Sequence, residues 1–470
     1  MLYGMTDNSR RGSRGWIGLA LRCCGIGLLA CVCVAGTAAE ASAEQKELSL
    51  ERAIDVAMSN NDQVRDAEVT IRQREASHRA STAKFGPSFR LESSVQRWDE
   101  PQTTEFSAPG QSGGAELTVR EQTTSNLSMT VVQPLTPLWS IYEAQRIEQL
   151  NLRQAEAAQT QTRRDVTLDV VEAYFRLLQA RAVHKVAKQS LDRRKRQLRR
   201  ARSFHQAEQV PKNDVLRAKV GVAQAKQEVI QARGRIDLAG AQLARVMGTS
   251  MDRSISPTSQ VEIDYSPPAD VGAAVRTAIE RRTEFEEAEL RIEQASAGVR
   301  AARSQLLPQV NALASYQRSY GSTFSNEESF FVGVNLQWTF WQWGTKSFEV
   351  DSALAQKQRA EIGRSRLERG IELEVRNAYT NFETSRESLK VARQAVDAAR
   401  ENYRAEEKRY EAQLSTSIDL LDAETQLTET RTNAQNAEYE HFIAAAKLRR
   451  ALGLSPWETA ANDAVTSEAK

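Results

Sequence analysis

The fold is decided by a stretch in the second half of the chain, residues 330–341, which reads FFVGVNLQWTFW. From Phe330 to Phe340 every second residue is large and apolar, and small or polar residues fill most of the positions between them. This period of two predicts a β-strand with one apolar face. Where the strand passes into a helix, aromatic residues cluster as they do in membrane-interface belts: Trp338, Phe340, Trp341 and Trp343.

Three further segments alternate in the same way, at 89–98, 123–133 and 310–320. Each has about the 9–11 residues that a strand needs to cross a bilayer. Four strands leave open edges, which lipid does not tolerate, and a small membrane barrel needs about eight. We therefore predict an oligomer, in which a trimer supplies twelve strands. A soluble strand pair packed on the end of a helical bundle is the alternative.

Two long segments without proline predict very long helices. Between Pro137 and Pro211, and again between Pro308 and Pro456, the chain has no proline, and apolar residues recur at three- and four-residue steps. The long helices are expected at about 139–206, roughly 100 Å in length, and at about 345–412. Shorter return helices are expected at about 214–247 and 418–452. Together they predict an antiparallel coiled-coil bundle.

The chain is an internal duplication. A shift of 221 residues aligns Pro87 with Pro308, and a shift of 205 aligns Gly248 with Gly453. Each copy has a helix pair, two strands, a long helix and a return helix. The predicted organisation is a first repeat at 44–250, an equatorial linker at 251–269, a second repeat at 270–455 and a disordered tail at 456–470.

Composition excludes several classes of protein. Lys and Arg number 63 against 61 Asp and Glu, so net charge gives no preference for nucleic acid. The four histidines are scattered at His78, His184, His205 and His441, and a phosphate-loop-like GTKS at 344–347 lacks its first glycine. We therefore expect no catalytic site, no metal and no cofactor, and the chain is not expected to be an enzyme.

Residues 1–43 are predicted to be a signal peptide. Basic residues precede a short apolar run, and Ala41-Ser42-Ala43 forms a cleavage site. Cleavage there would leave a mature chain without cysteine. Alternatively, Leu28-Leu29-Ala30-Cys31 is a lipoprotein box, in which Cys31 would carry acyl chains. A retained membrane anchor is disfavoured because the apolar run is too short.

With this plan the chain resembles the TolC-like outer-membrane efflux protein family. The duplicated order of elements, the paired proline and glycine positions, and two local motifs, VPKNDVL at 210–216 and IDLLDA at 418–423, carry the resemblance. It implies a mainly α-helical homotrimer, in which a twelve-stranded barrel in outer-membrane lipid continues into a periplasmic helical tunnel. An inner-membrane transporter and a periplasmic adaptor protein would dock at the tunnel tip. Drug efflux or type I secretion of proteins is then the expected function, with a non-conducting surface scaffold as the alternative.

The resemblance also assigns roles at the tip. Asp419 and Asp422 align with aspartates that ring the tunnel entrance, and six carboxylates in a trimer would favour cations. Their alternative role is helix capping, with Ser417 as the cap. Tyr410 and Asp214 align with a link that holds the entrance closed, although both could be ordinary exposed helix-end residues. Adaptor docking is expected at two turns, formed by Gln209, Val210, Pro211, Gln413, Leu414 and Ser415.

Two departures and one basic run qualify these expectations. Gln209 and Gln413 stand where the family often has glycine, and Ser415 stands where some members have a gating arginine. The run at 193–202, RRKRQLRRAR, invites a nucleic-acid interpretation. Acidic residues of the second copy, Glu401, Glu406 and Glu407, fall near it, so a solvated face of salt bridges is expected instead, with adaptor contact as the next possibility.

Overall fold

The computed structural model describes residues 48–106, 114–252, 255–258, 265–323 and 326–457. These all belong to one compact unit, Gln45–Lys470. The expected signal peptide, Cys31 and residues 458–470 of the expected tail lie outside the described residues. Within them, none of the helices combines the length and the hydropathy needed to cross a membrane.

The described chain is mainly helical and carries one sheet, as the sequence predicts. Each half opens with two short helices that a single residue separates, and each contains one helix of nearly seventy residues. The helices are α1 (Leu50–Asn60), α2 (Asp62–Ala83), α3 (Leu138–Gln206), α4 (Lys212–Val246), α5 (Val271–Arg281), α6 (Thr283–Ser304), α7 (Thr345–Glu411) and α8 (Ser417–Ala451). The strands are β1 (Ser88–Arg97), β2 (Gln102–Phe106), β3 (Ala115–Pro134), β4 (Gln309–Ser322) and β5 (Glu328–Gln337).

The duplication is visible in how each return helix ends against its helix pair. Gly248 and Gly453 both have positive φ, +68° and +76°. A Cβ at Gly248 would lie 2.4 Å from the carbonyl oxygen of Asn60, and one at Gly453 would lie 2.9 Å from that of Arg281. Only glycine fits both the backbone conformation and this close approach. The same backbone junction therefore occurs in both repeats: the 205-residue shift relates its two glycines, and the 221-residue shift relates Asn60 to Arg281.

The sheet is antiparallel and open, in the order β1-β3-β4-β5. Directly paired residues of neighbouring strands lie on the same face of a sheet. The register pairs Phe89 with Val131, Val131 with Ala314, and Ala314 with Val332. This face is apolar across all four strands and exposed on both edge strands, at Phe89, Leu91, Val95, Phe330, Val332, Val334 and Leu336.

The opposite face of the sheet is mainly polar, although Val132, Leu313 and Phe331 also lie on it. The hydroxyls of Thr130 and Ser315 lie 3.1 Å apart across β3 and β4, and the amide of Gln317 donates to Oδ1 of Asn126 at 3.1 Å. A sheet with one exposed apolar face and one polar face suits lipid on one side and water on the other.

The structure corrects the predicted loop at 99–122. Gln102–Phe106 forms β2, which pairs with the first residues of β3, so β3 begins at Ala115 and not at 123. Trp98 fixes the junction of β1 and β2, since its indole donates to Thr124 Oγ1 at 3.3 Å and the guanidinium of Arg120 lies 3.7 Å from its ring centroid. The prediction missed this extension because β2 has no clear alternation, and because the polar run at 120–126 separates Leu117 and Val119 from the apolar residues that begin at Leu127.

Two predicted ends also need correction. β5 ends at Gln337 and not at 341, so Trp338, Phe340 and Trp341 follow the strand. The tail was expected to be disordered from 456, but Trp457 packs against Phe175, with ring centroids 6.2 Å apart, and its indole donates to Glu51. An aromatic residue just beyond the last helix can reach back to the core, which composition alone does not reveal.

The long helices form a layer in which α3 contacts α4 and α8, and α8 also contacts α7. The large apolar clusters lie where α1 and α5 cover α3 and α7, around Tyr174 and Phe382. Towards their other ends, α3 and α4 share a small apolar cluster of Leu198, Ala201 and Ala218, and α8 buries Leu420, Ala423 and Leu427.

Candidate functional site

The candidate site is the tip, which we define as the turns between α3 and α4 (207–211) and between α7 and α8 (412–416). Both turns use the same backbone device. Glu208 and Gln413 have φ of +57° and +61°. The following amides donate back into the long helices, Gln209 to Phe204 at 2.9 Å and Leu414 to Arg409 at 2.7 Å. These are Schellman-type helix ends, in which glycine is the usual left-handed residue.

This geometry corrects one of the two positions at which the sequence was expected to depart from the family's glycine. The left-handed residue of the first turn is Glu208, not Gln209, and the 205-residue shift relates Glu208 to Gln413. Any residue other than glycine pays about 1 kcal/mol for this conformation. The predicted docking residues Pro211, Gln413 and Leu414 are exposed, and Val210 and Ser415 are partly exposed.

Asp419 takes part in a capping box at the start of α8. Thr416 Oγ1 donates to Asp419 Oδ2 at 2.7 Å, Thr416 N donates to the same oxygen at 3.1 Å, and Asp419 N donates back to Thr416 Oγ1 at 3.2 Å. The bonds from the Thr416 hydroxyl and then its amide hold the pKa of the Asp419 carboxyl below its usual value. The cap is therefore Thr416, not Ser417, which is buried as the first residue of the helix.

Asp422 has a different environment. Its side chain is exposed and lines a groove of about 570 Å³ between α4 and α8, together with Leu216, Arg217 and Ile418. Unlike Asp419, it makes no ion pair or hydrogen bond that ties it to another described residue. Of these two carboxylates, Asp422 is thus the one that no hydrogen bond or ion pair engages within the described residues.

Tyr410 is buried, not exposed, and its side chain is only 3% accessible. Its ring packs on Phe204, with ring centroids 5.8 Å apart, and links α7 to α3. Burial and then the nearby Asp214 carboxylate raise the pKa of the phenol. Within the described residues, the Tyr410 hydroxyl has no hydrogen-bond partner. The two members of the predicted link are therefore close enough to interact electrostatically, but the hydrogen bond itself stays a prediction.

The basic run is not a solvated face at its start. Arg193 and Arg194 are largely buried on either side of Glu424, which is 1% exposed. Glu424 Oε1 lies 3.4 Å from Arg193 Nε, and Oε2 lies 2.8 Å from Arg194 Nε. Ser190 Oγ also donates to Oε1 at 2.9 Å. We call these four residues the α3–α8 cluster.

Further along the run, Arg200 forms the expected kind of pair with acidic residues of the second copy, Glu407 at 3.6 Å and Glu411 at 2.7 Å.

The sequence analysis did not predict the α3–α8 cluster, although the sequence contains a signal for it. Glu424 is a lone carboxylate on the apolar stripe of α8 formed by Leu420, Ala423 and Leu427. A carboxylate there has to be paired, and only the arginine run of α3 offered partners.

The aromatic residues at the junction of β5 and α7 are all exposed. Trp341 and Trp343 pack edge to face at 5.8 Å, and Trp338 and Phe340 lie 6.0 Å apart. Trp343 and Gly344 have positive φ, and α7 begins at Thr345. The GTKS sequence is thus a strand-to-helix turn. In the described ranges, no three His, Cys, Asp or Glu side chains come together in a way that would hold a metal ion.

Comparisons with known proteins agree with this architecture. The profile of the family described as outer membrane efflux protein matches residues 53–249 and 274–454, the two repeats. Protein CyaE of Bordetella pertussis is 27% identical over 435 residues, which cover 87% of this chain and 83% of CyaE.

Solved structures are similar over most of their length. The outer membrane protein VceC of Vibrio cholerae has a TM-score of 0.72 and 18% identity, covering 87% of this chain and 97% of VceC. The CmeC outer membrane channel of Campylobacter jejuni has a TM-score of 0.73 and 16% identity, covering 89% of each chain. At such identities these likenesses concern the fold.

Proposed function

The chain belongs to the outer membrane efflux protein family, and we propose on this basis that it is a homotrimeric channel-tunnel of the outer membrane that extends into the periplasm. The family is a transport family, not an enzyme family. The observation that carries the proposal is the open sheet, since β1 and β5 are edge strands whose outer faces are apolar and exposed.

The two open edges of the sheet support the proposed barrel closure. An unpaired strand edge cannot persist in lipid, and four strands cannot close on themselves. If β5 of one copy pairs with β1 of the next, three copies give twelve strands and no edge. The apolar face then meets lipid, and the polar face around Thr130 and Asn126 lines the lumen.

The helices support the same assembly. In the layer, α4 and α7 lie at opposite edges, and each exposes large apolar side chains: Val220, Ile230 and Leu238 on α4, and Ile362, Leu373 and Val391 on α7. Two different surfaces that meet around a closed ring form a heterologous interface. Trimerisation would bury both edges.

In the proposed trimer, the remaining predicted residues would have the following roles. The aromatic residues at 338–343 would anchor in the membrane interface. Asp419 and Asp422 would ring the entrance, and Tyr410 with Asp214 would hold it closed. The tip turns would dock with a periplasmic adaptor and an inner-membrane transporter, which supplies the energy. The cargo class, small molecules or proteins exported by type I secretion, follows from the partner pump.

A matched pair of substitutions on β5 tests the barrel. Val332 is 71% exposed on the apolar face, and Asn335 lies on the polar face. A lysine near the middle of a lipid face costs about 2–4 kcal/mol, whereas a lumen position tolerates it. Val332→Lys should therefore abolish outer-membrane trimers in native mass spectrometry. Asn335→Lys should leave the trimer intact and alter single-channel conductance in planar bilayers.

The alternative is a non-conducting, membrane-anchored coiled-coil scaffold. It predicts a protein without conductance, whose mass corresponds to one chain and for which the two lysine variants behave alike. That outcome would overturn the channel proposal.

A further inference from the structure

A groove of about 470 Å³ lies between α3 and α7, over α8. It is distinct from the tip and strongly basic. Four cationic side chains line it, and Asp397 is the lining carboxylate: the cations are Lys185, Arg393, Arg400 and Arg431. The amides of Gln189 and Gln435 complete its polar lining.

Two of the four cations already have partners. Arg393 Nη2 lies 3.3 Å from Glu438 Oε1, and Arg400 Nη1 lies 3.5 Å from Asp397 Oδ1. In each ion pair at least one of the two side chains is largely exposed to solvent. Such pairs hold their arginines only weakly. They leave these guanidinium groups able to turn towards a ligand.

Arg431 is the unusual member of the groove. It is half-buried, and in the described part of the chain no carboxylate pairs with it; its contact is a long hydrogen bond of 3.5 Å to Gln189 Oε1. Burial, followed by the nearby charges of Arg193 and Arg400, lowers the pKa of its guanidinium. A partly buried cation beside like charges is costly unless an anion compensates it.

We propose that this groove is a binding site for a small soluble molecule that carries phosphate groups. Arginine presents several N–H donors in a planar fork that matches phosphate oxygens, and lysine adds a point charge. A multivalent oxyanion in the groove would contact Arg431 together with Arg400 and the exposed Lys185. It would neutralise the excess positive charge that the protein leaves unpaired.

The position of the groove decides between possible sources of phosphate. Lys185 lies 47 residues from the start of α3, so about 70 Å of helix separates it from the sheet. A phospholipid headgroup at the sheet cannot reach it. The groove also lies within one chain, because α8 is flanked by α3 and α7 of the same copy. A neighbouring copy that packs on α4 or α7 would leave it open to solution.

The test is isothermal titration of the full mature protein in detergent with inorganic pyrophosphate, compared with sodium chloride at equal ionic strength. Pyrophosphate should bind and chloride should not. Arg431→Gln should weaken pyrophosphate binding at least about tenfold, the effect of losing one charge-assisted contact. Arg376→Gln is the matched control, because Arg376 also lies on a long helix but pairs with Glu372 on an exposed face.

Lys185→Gln provides a second variant at an exposed position, which avoids any folding defect of Arg431→Gln, and it should weaken binding several-fold. Equal affinity of the wild type and both groove variants would overturn the proposal, as would an equal response to chloride. These measurements do not depend on conductance, so their outcome is separate from that of the channel proposal.

Discussion

Replacement of Glu424 with Gln should loosen the contact between α3 and α8 near the tip. The substitution keeps the size of the side chain but removes its charge, and it leaves the guanidinium groups of Arg193 and Arg194 without a carboxylate in a site where Glu424 is 1% exposed. Removal of one partner from a buried ion pair costs about 3–5 kcal/mol, because the remaining charge stays buried and uncompensated.

Hydrogen exchange measures this loss locally. Near the tip, the α3–α8 cluster places a buried ionic contact beside the apolar stripe of Leu420, Ala423 and Leu427, so its loss should appear in the local opening of α8 from α3. A loss of 3 kcal/mol raises the opening equilibrium roughly a hundredfold. Amides of 186–200 and 418–430 should therefore exchange about two orders of magnitude faster in Glu424→Gln, whereas the segment around Tyr174 should not change.

Two further variants decide whether the reasoning is correct. Glu438→Gln lies on the same helix and breaks a pair whose carboxylate is 31% exposed, so it should change exchange by less than about fivefold. A triple variant with Arg193→Met, Arg194→Met and Glu424→Leu should recover protection, because an apolar replacement removes the uncompensated charges. Exchange in Glu424→Gln no faster than in Glu438→Gln would refute the argument.

Four other outcomes are expected at the tip. Tyr410→Ala, which removes the ring packed on Phe204, should raise single-channel conductance more than Tyr410→Phe does. Equal conductance of the two variants would mean that the hydroxyl, and not the ring, holds the entrance closed. Glu208→Gly or Gln413→Gly should relieve about 1 kcal/mol of left-handed strain and slow amide exchange in the turns, and faster exchange would contradict this. Asp422→Ala should weaken block by polyvalent cations more than Asp419→Ala does, because the Asp419 carboxylate is engaged in the capping box; unchanged block in both would remove them from the entrance. The folded-state pKa of Asp419 is lowered from 3.8, so its capping contribution is present above that value and is lost as the pH falls through the folded pKa. In the wild type, amides at the start of α8 should therefore lose exchange protection below about pH 4. The Asp419→Asn variant should not show this acid-dependent loss.

Most of the fold was predictable because its signals are local. Proline-free helical periodicity predicted α3 and α7 to within two residues, and alternation located β1, β4 and most of β5. The sequence analysis did not predict β2, which has no clear alternation. It also missed the start of β3, because the polar run at 120–126 interrupts the alternation between Val119 and Leu127. The predicted end of β5 was also wrong, because aromatic residues continue the period of two for four positions beyond the last paired residue, Gln337.

The candidate site was less predictable because its contacts join distant parts of the chain. The roles expected of Asp419 and Tyr410, and Asp214 as the neighbour of Tyr410, came from the family resemblance. The contacts of Asp419 with Thr416 and of Tyr410 with Phe204 did not. Thr416 was adjacent to the predicted cap, and the capping box depends on hydrogen bonds that only coordinates reveal. The burial of Glu424 between Arg193 and Arg194 depends on the register between α3 and α8, 230 residues apart in sequence, which neither helix encodes alone.

The two repeats share a backbone junction but differ in the chemistry that fills it, and this difference makes the chain asymmetric. Asn61 donates from its amide to Val246 O at 2.7 Å in the first repeat, and at the aligned position Arg282 donates to Ala451 O at 3.4 Å in the second. Arg282 also pairs with Glu374 at 2.8 Å, and Arg450 joins Glu374 to Asp165 on α3. The second junction therefore reaches across to the first repeat, whereas the neutral first junction closes on itself. Because this network and the α3–α8 cluster both tie α8 to α3, we infer that the two halves of one chain are held together along this seam while α4 and α7 remain free for neighbouring copies.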